Sequence, residues 1–309
     1  MGQKLELSVY DDAGTGIDIG CMGPFMAFPK AFQLEGVIIS AEETRGPMGA
    51  HKRDHIFMIM QMPSVQQKWR EAHGRNSTEE DVDRIFKNFI PLQETCLEEY
   101  VELIPGTLET IQYCRSLGQK IGVSTGYVEN MIRINREASA KRGYLPDTTV
   151  GADGTVAIRN GNSYDYFKVP GMPKGRPEPW MIQINMMYNR VFGPHKVVKI
   201  GDTIPDIQEG LNAEVWTIGL PLTGNELGLD EEMFKALKGK NIQEYIKSEL
   251  DPNIRRNAYD RMKRAGAHFI VDGIWDVPPI IDKINWLLQK GIGPSRLQTF
   301  SDGQGYLVP

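Results

Sequence analysis

The sequence is poor in cysteine, with three in 309 residues, Cys21, Cys96 and Cys114, and no two of them in CxxC spacing. An odd, widely spaced set excludes a disulfide framework and a thiolate zinc site, and fits a reducing compartment. Also missing is any apolar run approaching the roughly 20 residues that cross a bilayer, and no basic stretch followed by an apolar one stands at the N-terminus. There is no long block of positive charge; the formal net charge is −5 and the isoelectric point about 5.7. That balance offers no electrostatic grip on nucleic acid or an anionic membrane, so the expected partner is a small molecule and the expected location the cytoplasm.

A chain of 309 residues exceeds what one core usually organises, and a main domain with a smaller one is expected. Three segments, "LELSVYDD", "QKIGVSTGY" and "HKVVKIGDT", run from apolar stretches into Asp, Ser, Thr or Gly and read as buried strands ending in functional loops. Between the last two lie helical patterns; "YVENMIRINREASAKRGY" has Met131, Ile134 and Ala138 at helical spacing and stops at Gly143. Strands alternating with helices predict an α/β fold, a Rossmann-like doubly wound parallel sheet whose strand ends converge on a ligand site.

From about 21 to 104 strand signals are scarce. A capping signature at Ser77 and Thr78 opens a helix with Val82, Ile85, Phe86 and Phe89 on one face, which Pro91 should kink or split. The expected organisation is a core of residues 1–20 and 105–309 with an all-helical cap, 21–104, inserted after the first strand. Residues 151–175, rich in Gly, Asn and Pro, read as a long loop with room for a small hairpin, and 238–258 as charged surface helix.

The chemistry concentrates at the ends of the three strands. Asp11 opens the pattern DxxGTxxD, Ser124 and Thr125 end the second strand, and "GDTIPD" supplies Asp202 and Asp206 after the third. On an extended strand Asp11 and Ala13 face one way and Asp12 the other, so the adjacent acids are not a catalytic pair. In this order the motifs resemble the haloacid dehalogenase superfamily of phosphotransferases. The resemblance implies that Asp11 is a nucleophile forming an aspartyl phosphate and that the later acidic pair holds Mg2+, a hard ion suited to carboxylate oxygens. Where most phosphatases of the superfamily carry an acid that protonates the leaving alcohol, this chain has Ala13.

A substitute for that acid lies in "GPMGAHKRDH", residues 46–55, which places Lys52 in the expected cap with Met48 and His55 nearby. Here the resemblance narrows to the phosphonatase branch, the phosphonoacetaldehyde hydrolases. Its motifs are "DxAGTxxDxGC" from Asp11 to Cys21, "PMGxxKxDH" from Pro47 to His55, "STGY" from Ser124 to Tyr127, "GRPEPWM" from 175 to 181 and "KIGDTxxDxxEG" from 199 to 210. In that family the cap lysine forms a Schiff base with the substrate aldehyde, and carbon leaves phosphorus as an enamine, with no acid needed at Ala13.

The resemblance therefore implies Asp11, Lys52 and His55 as catalytic residues, His55 moving a proton for imine formation. It implies Cys21, Met48, Thr125, Gly126, Tyr127 and Arg176 as substrate-binding, the Arg176 fork facing the phosphonate oxygens. It further implies Asp11, the Ala13 carbonyl, Asp202 and Asp206 around Mg2+, and a homodimer formed through the cap. The family usually has an aromatic residue at Asp12. A phosphate-ester phosphatase or mutase of the superfamily is the alternative, opposed by Ala13; a non-catalytic phosphometabolite-binding relative is the second.

Overall fold

The computed structural model describes residues 3–173 and 175–294. The ends of the expected core, 1–2 and 295–309, and Lys174 of the expected loop lie outside the described residues. The first strand, β1 (Leu7–Tyr10), leads through a short 3-10 turn into five helices: α1 (Met22–Gln33), α2 (Ala41–Arg45), α3 (Lys52–Gln61), α4 (Pro63–His73) and α5 (Glu79–Glu99). Then follow α6 (Thr107–Ser116), β2 (Lys120–Thr125), α7 (Glu129–Lys141), β3 (Thr148–Gly151), β4 (Thr155–Asn160), β5 (Ser163–Lys168) and α8 (Trp180–Tyr188). The chain closes with β6 (Val197–Gly201), α9 (Ile204–Asn212), β7 (Trp216–Gly219), α10 (Glu231–Leu237), α11 (Ile242–Ser248), α12 (Pro252–Arg264), β8 (Phe269–Ile270) and α13 (Val277–Gln289). No helix of the described residues is long and apolar enough to cross a membrane.

The eight strands form one sheet in the order β5-β4-β3-β2-β1-β6-β7-β8. The three strands expected from sequence are its neighbouring centre, β2-β1-β6, paired in parallel with Tyr10 level with both Val123 and Ile200. That register brings Asp11, Ser124 and Asp202 out at one edge, where an open α/β sheet binds its ligands. Ile111 of α6 and Ile281 and Ile284 of α13 cover one face with Ile121, Val123, Ile200 and Ile218. Ile182 of α8 covers the other with Leu7, Val9 and Val197. Each such fully buried side chain contributes roughly 1.5–3 kcal/mol.

Three expectations need correction. The stretch 151–175 is less a long loop than the hairpin it had room for: β4 and β5 pair antiparallel around Gly161, with Asn160 opposite Ser163, and extend the sheet beside β3. The sheet is therefore mixed at this edge, where Val156 turns inward and the outermost strand is half exposed, so its alternation is weak in sequence. Pro91 does not split its helix; α5 runs unbroken from Glu79 to Glu99, with a capping box at Thr78 and Val82, Ile85 and Phe89 buried against α1 and α3. Finally, the buried face of α7 is Met131, Ile132, Asn135, Arg136 and Ser139, rather than the Met131–Ile134–Ala138 stripe. Its polar members are drawn inward because Arg136 has a carboxylate to meet.

Candidate active site

Asp11 leaves β1 where the chain must turn sharply. Gly14, at φ 79°, takes a left-handed conformation in which a Cβ would collide with Asp202 and Cys21. The carbonyl of Asp12 gathers the turn by accepting the amides of Thr15, Gly16 and Ile17 at 3.3, 2.9 and 3.0 Å. Asp18 then caps α1, its two oxygens accepting the Met22 and Gly23 amides at 2.9 Å each. Asp18 and Cys21 are themselves left-handed, at φ 56° and 53°, a conformation that non-glycine residues adopt at a cost.

Strand alternation separates the adjacent acids. Asp11 meets Arg176, whose guanidinium donates to both its oxygens at 2.8 and 3.2 Å. Asp12, on the other side, is fully buried against Arg136, which also lies 5.2 Å above the Tyr144 ring. Burial raises the Asp12 carboxyl, and the Arg136 charge pulls it back. This ion pair explains why an acid can stand beside Asp11 without entering the site.

Arg176 is the hub of a buried charge network. It pairs with Asp206 at 3.0 Å and Glu209 at 3.0 Å, and donates to the Ser124 carbonyl. Lys199, fully buried in β6, pairs with Asp206 at 2.9 Å and donates to the Ser124 hydroxyl at 2.8 Å. Four buried carboxylates, Asp11, Asp202, Asp206 and Glu209, thus share the edge with the cations Arg176, Lys199 and Lys52. Burial followed by the charges of Asp206 and Asp11 pushes Asp202 up to about 8. Burial acts on Asp206 in the same sense, but Arg176 and Lys199 outweigh it and hold that carboxyl below its ordinary value.

Asp11, Asp202 and Asp206 bring one oxygen each within 4.8 Å of one another. This is a fit for a hard divalent cation, since the donors are all carboxylate oxygens gathered in a buried site. Asp206 is engaged on both oxygens, by Lys199 and Arg176 on one and by Thr203 at 2.6 Å on the other. Asp202 is the freer of the two, receiving only Thr15, Cys21 and the Asn225 amide.

The opposite wall comes from the helical segment. Lys52 is the first residue of α3 and 4% exposed. Its ammonium lies 5.2 Å over the Tyr127 ring and 5.8 Å over the Phe28 ring. Burial lowers it to about 8, more than Asp11 and Cys21 can offset. One turn along, the fully buried His55 lies against Phe28, the rings tilted by 34° with centroids 3.9 Å apart, and places Nε2 2.8 Å from the Thr44 carbonyl. A carbonyl only accepts, so Nε2 carries the proton, and the bare Nδ1 has no hydrogen-bond partner. Burial, then the Lys52 charge, lowers His55 to about 3.

A cavity of about 20 Å³ is lined by Asp11, Ala13, Cys21, Met48, Lys52, Thr125, Gly126, Tyr127 and Arg176. These are the residues expected from sequence, brought together from both sides; His55 stands behind Lys52, and Asp202 and Asp206 below Asp11. The volume admits little more than a water, so a larger guest requires the two walls to part. They meet tightly: a Cβ on Gly49, at φ 94°, would collide with Thr203, and one on Gly126 would crowd the Ala50 carbonyl. Sequence reasoning gave no role to Lys199, Glu209, Arg136 or Asn225. A lysine inside the apolar run "VVKIGD" and an arginine on a buried helix face were the signals available.

No protein-family model matches the chain. Among curated proteins it is 41% identical over 286 residues to the phosphonoacetaldehyde hydrolase of Syntrophobacter fumaroxidans, covering 93% of this chain and 94% of that one. It is 34% identical to the phosphonoacetaldehyde hydrolase of Hahella chejuensis, covering 94% and 90%. The crystal structure of a phosphonoacetaldehyde hydrolase-like protein from Oleispira antarctica superposes with a TM-score of 0.81 at 32% identity, over 95% of this chain and 97% of that one. A β-phosphoglucomutase from Clostridium difficile, at 16% identity and a TM-score of 0.60, shares the fold alone. With more than nine-tenths of its length matched at these identities, and Asp11, Lys52 and Arg176 facing one cavity, the chain belongs to the phosphonoacetaldehyde hydrolase family of the haloacid dehalogenase fold.

Proposed function

We propose that this protein hydrolyses phosphonoacetaldehyde to acetaldehyde and phosphate, with Lys52 as the electrophile-forming amine and Asp11 as the nucleophile. The observation that carries the reading is a single one: a buried lysine lowered to about 8 shares a cavity with Asp11 and Arg176, while the position two after Asp11 is Ala13. Lys52 condenses with the aldehyde and expels water. The protonated imine then withdraws electrons from the carbon–phosphorus bond, so the leaving carbon departs as an enamine and needs no acid at residue 13. Asp11 takes the phosphoryl group and water cleaves the acyl phosphate; the enamine takes a proton on carbon to become an iminium again, and its hydrolysis returns the amine and acetaldehyde.

The other residues serve these two centres. Arg176, already bidentate to Asp11, turns its fork to the phosphonate oxygens, with the Thr125 hydroxyl and the amides at Gly126 and Tyr127 adding donors. His55 accepts a proton at Nδ1 during imine formation; the Lys52 charge that helps depress it disappears once the amine is neutral, which makes the acceptor stronger at the moment it is used. Cys21, Met48 and Tyr127 line the aldehyde end. Residues 21–104 act as a cap that opens for substrate. Asp11, the Ala13 carbonyl, Asp202 and Asp206 would hold Mg2+, which would neutralise charge gathering on the phosphoryl oxygens.

Borohydride trapping tests the reading. Incubation with phosphonoacetaldehyde and borohydride should leave a reduced adduct on Lys52, read by mass spectrometry. Only the neutral amine attacks, so the initial trapping rate should rise about tenfold per pH unit below 8 and flatten above it. No adduct, together with hydrolysis of simple phosphate esters, overturns the proposal.

The same lysine predicts a trade of stability for chemistry. Holding an amine at about 8 instead of 10.5 costs the fold on the order of 3 kcal/mol. A lowered base is penalised while charged, so the cost is complete below pH 8 and fades as the pH rises toward 10.5. Lys52→Met should therefore unfold at higher denaturant than wild type at pH 7, with the gap closing near pH 10, while giving no adduct.

A further inference from the structure

The segment after β7 reaches both walls of the site. The amide of Asn225 donates to Asp202 Oδ2 at 2.9 Å, while its side chain engages the end of α2. Oδ1 accepts from Arg45 at 3.3 Å, and Nδ2 donates to the Arg45 carbonyl at 3.3 Å. Arg45 also donates to the Gly20 carbonyl at 3.0 Å, the Leu229 carbonyl and the Met22 sulfur, its guanidinium 4.3 Å over the Phe25 ring. Both residues are buried, Arg45 8% and Asn225 5% exposed. Arg45 is the last residue of α2, whose other end is closed by a reciprocal capping box of Ser40 and Glu43.

We infer that Arg45 and Asn225 form a latch through which the position of α2 sets the orientation of Asp202. Three donors hold that carboxylate: the Thr15 hydroxyl at 3.0 Å, the Cys21 thiol at 3.3 Å and the Asn225 amide. The first two belong to the turn that follows the nucleophile; the third is the one tied to α2. The backbone at Asn225 has little slack, because a Cβ on Gly224 would overlap the Asp202 carboxylate. Withdrawal of α2 removes both hydrogen bonds between the Asn225 side chain and Arg45, leaving it only the Glu226 carboxylate, and loosens the amide that aims Asp202. Asn225 and Arg45 are positioning residues here, acting through Asp202. The inference rests on the reading of Asp202 as a Mg2+ ligand and of residues 21–104 as a cap, and it adds that cap closure and cation binding favour each other. Coupling of this kind is reciprocal and typically fivefold or more in affinity.

Calorimetric titration of the full-length protein with MgCl2, without substrate, tests the latch. Asn225→Ala and Arg45→Lys should each weaken Mg2+ binding at least about fivefold, and the double variant no further than the weaker single. In wild type, Mg2+ should also slow amide exchange across residues 41–46, and in Asn225→Ala it should not. Thermal melts of each variant check folding; if Asn225→Ala does not fold, Arg45→Lys, which keeps the charge and loses the fork, carries the same test. Unchanged Mg2+ affinity in the folded variants, or additive losses in the double, overturns the latch while leaving Asp202 a ligand. A wild type that does not bind Mg2+ overturns the metal reading and the latch with it.

Discussion

Asp11→Asn is expected to lower phosphate release at least ~10⁴-fold while leaving the borohydride adduct on Lys52 in place. The amide keeps the shape of the carboxylate and one acceptor for the Arg176 fork, which now reaches both Asp11 oxygens. What it removes is the anionic oxygen that attacks phosphorus, and no other carboxylate can substitute. Asp206 and Glu209 are ion-paired to Arg176, and Asp202 accepts from Thr15, Cys21 and Asn225. The imine half of the reaction belongs to the opposite wall, where Lys52 sits over Phe28 and Tyr127. Loss of one Asp11 charge also removes the largest influence holding the Lys52 proton, so trapping should be as fast as in wild type or faster at pH 7. Parallel assays of released phosphate and of the reduced adduct read the two halves separately. A variant that keeps phosphate release within tenfold of wild type would remove Asp11 from the nucleophile role.

The sequence displays the centre of this molecule because the centre is made of strands buried on both faces. β1, β2 and β6 are short apolar runs with polar tails, and they prove to be neighbours whose tails emerge together. β8 is too short, at 2 residues, to announce itself. The β4–β5 hairpin hides in a Gly- and Asn-rich stretch because its outer strand is half exposed and its pattern of burial weak. Pro91 misleads in the opposite way: its missing amide hydrogen removes one backbone bond from α5, while Val82, Ile85 and Phe89 before it and Cys96 and Leu97 after it bury in one core and hold the helix together.

At the site the division is between residues whose type announces chemistry and residues whose partner does. Asp11, Lys52, Thr125 and Arg176 occur in motifs and converge on one cavity. Lys199 and Glu209 fall inside the same motifs, yet their part emerges only from the pairing with Asp206, Arg176 and Ser124. Asn225 and Arg45 are 180 residues apart, and no local pattern links an asparagine after a strand to the last residue of a five-residue helix. Asp12 is legible as an oddity, an acid where a strand end should be apolar. Its explanation, Arg136, lies on the buried face of α7, which the expected stripe shares only at Met131.

That pair supports the second large effect. Arg136→Met should destabilise the fold by about 3–5 kcal/mol, the cost of stranding one member of a buried ion pair. Both side chains are wholly buried, and the second Asp12 oxygen already lacks a hydrogen-bond partner. Methionine fills most of the volume and leaves a carboxylate that must either stay charged in an apolar setting or take up a proton. Burial raises the Asp12 carboxyl even with the arginine present, and without it the rise is larger. A raised acid is penalised when ionised, so the deficit grows as the pH climbs above the ordinary value of 3.8 and is greatest at neutral pH and above. Urea unfolding of variant and wild type should show a wider gap at pH 8 than at pH 5. Adding Asp12→Leu to Arg136→Met should recover most of the loss, since replacing both partners with apolar groups removes the stranded charge. A single variant as stable as wild type, or a double variant less stable than the single, would show that the pair does not anchor the strand end that presents Asp11.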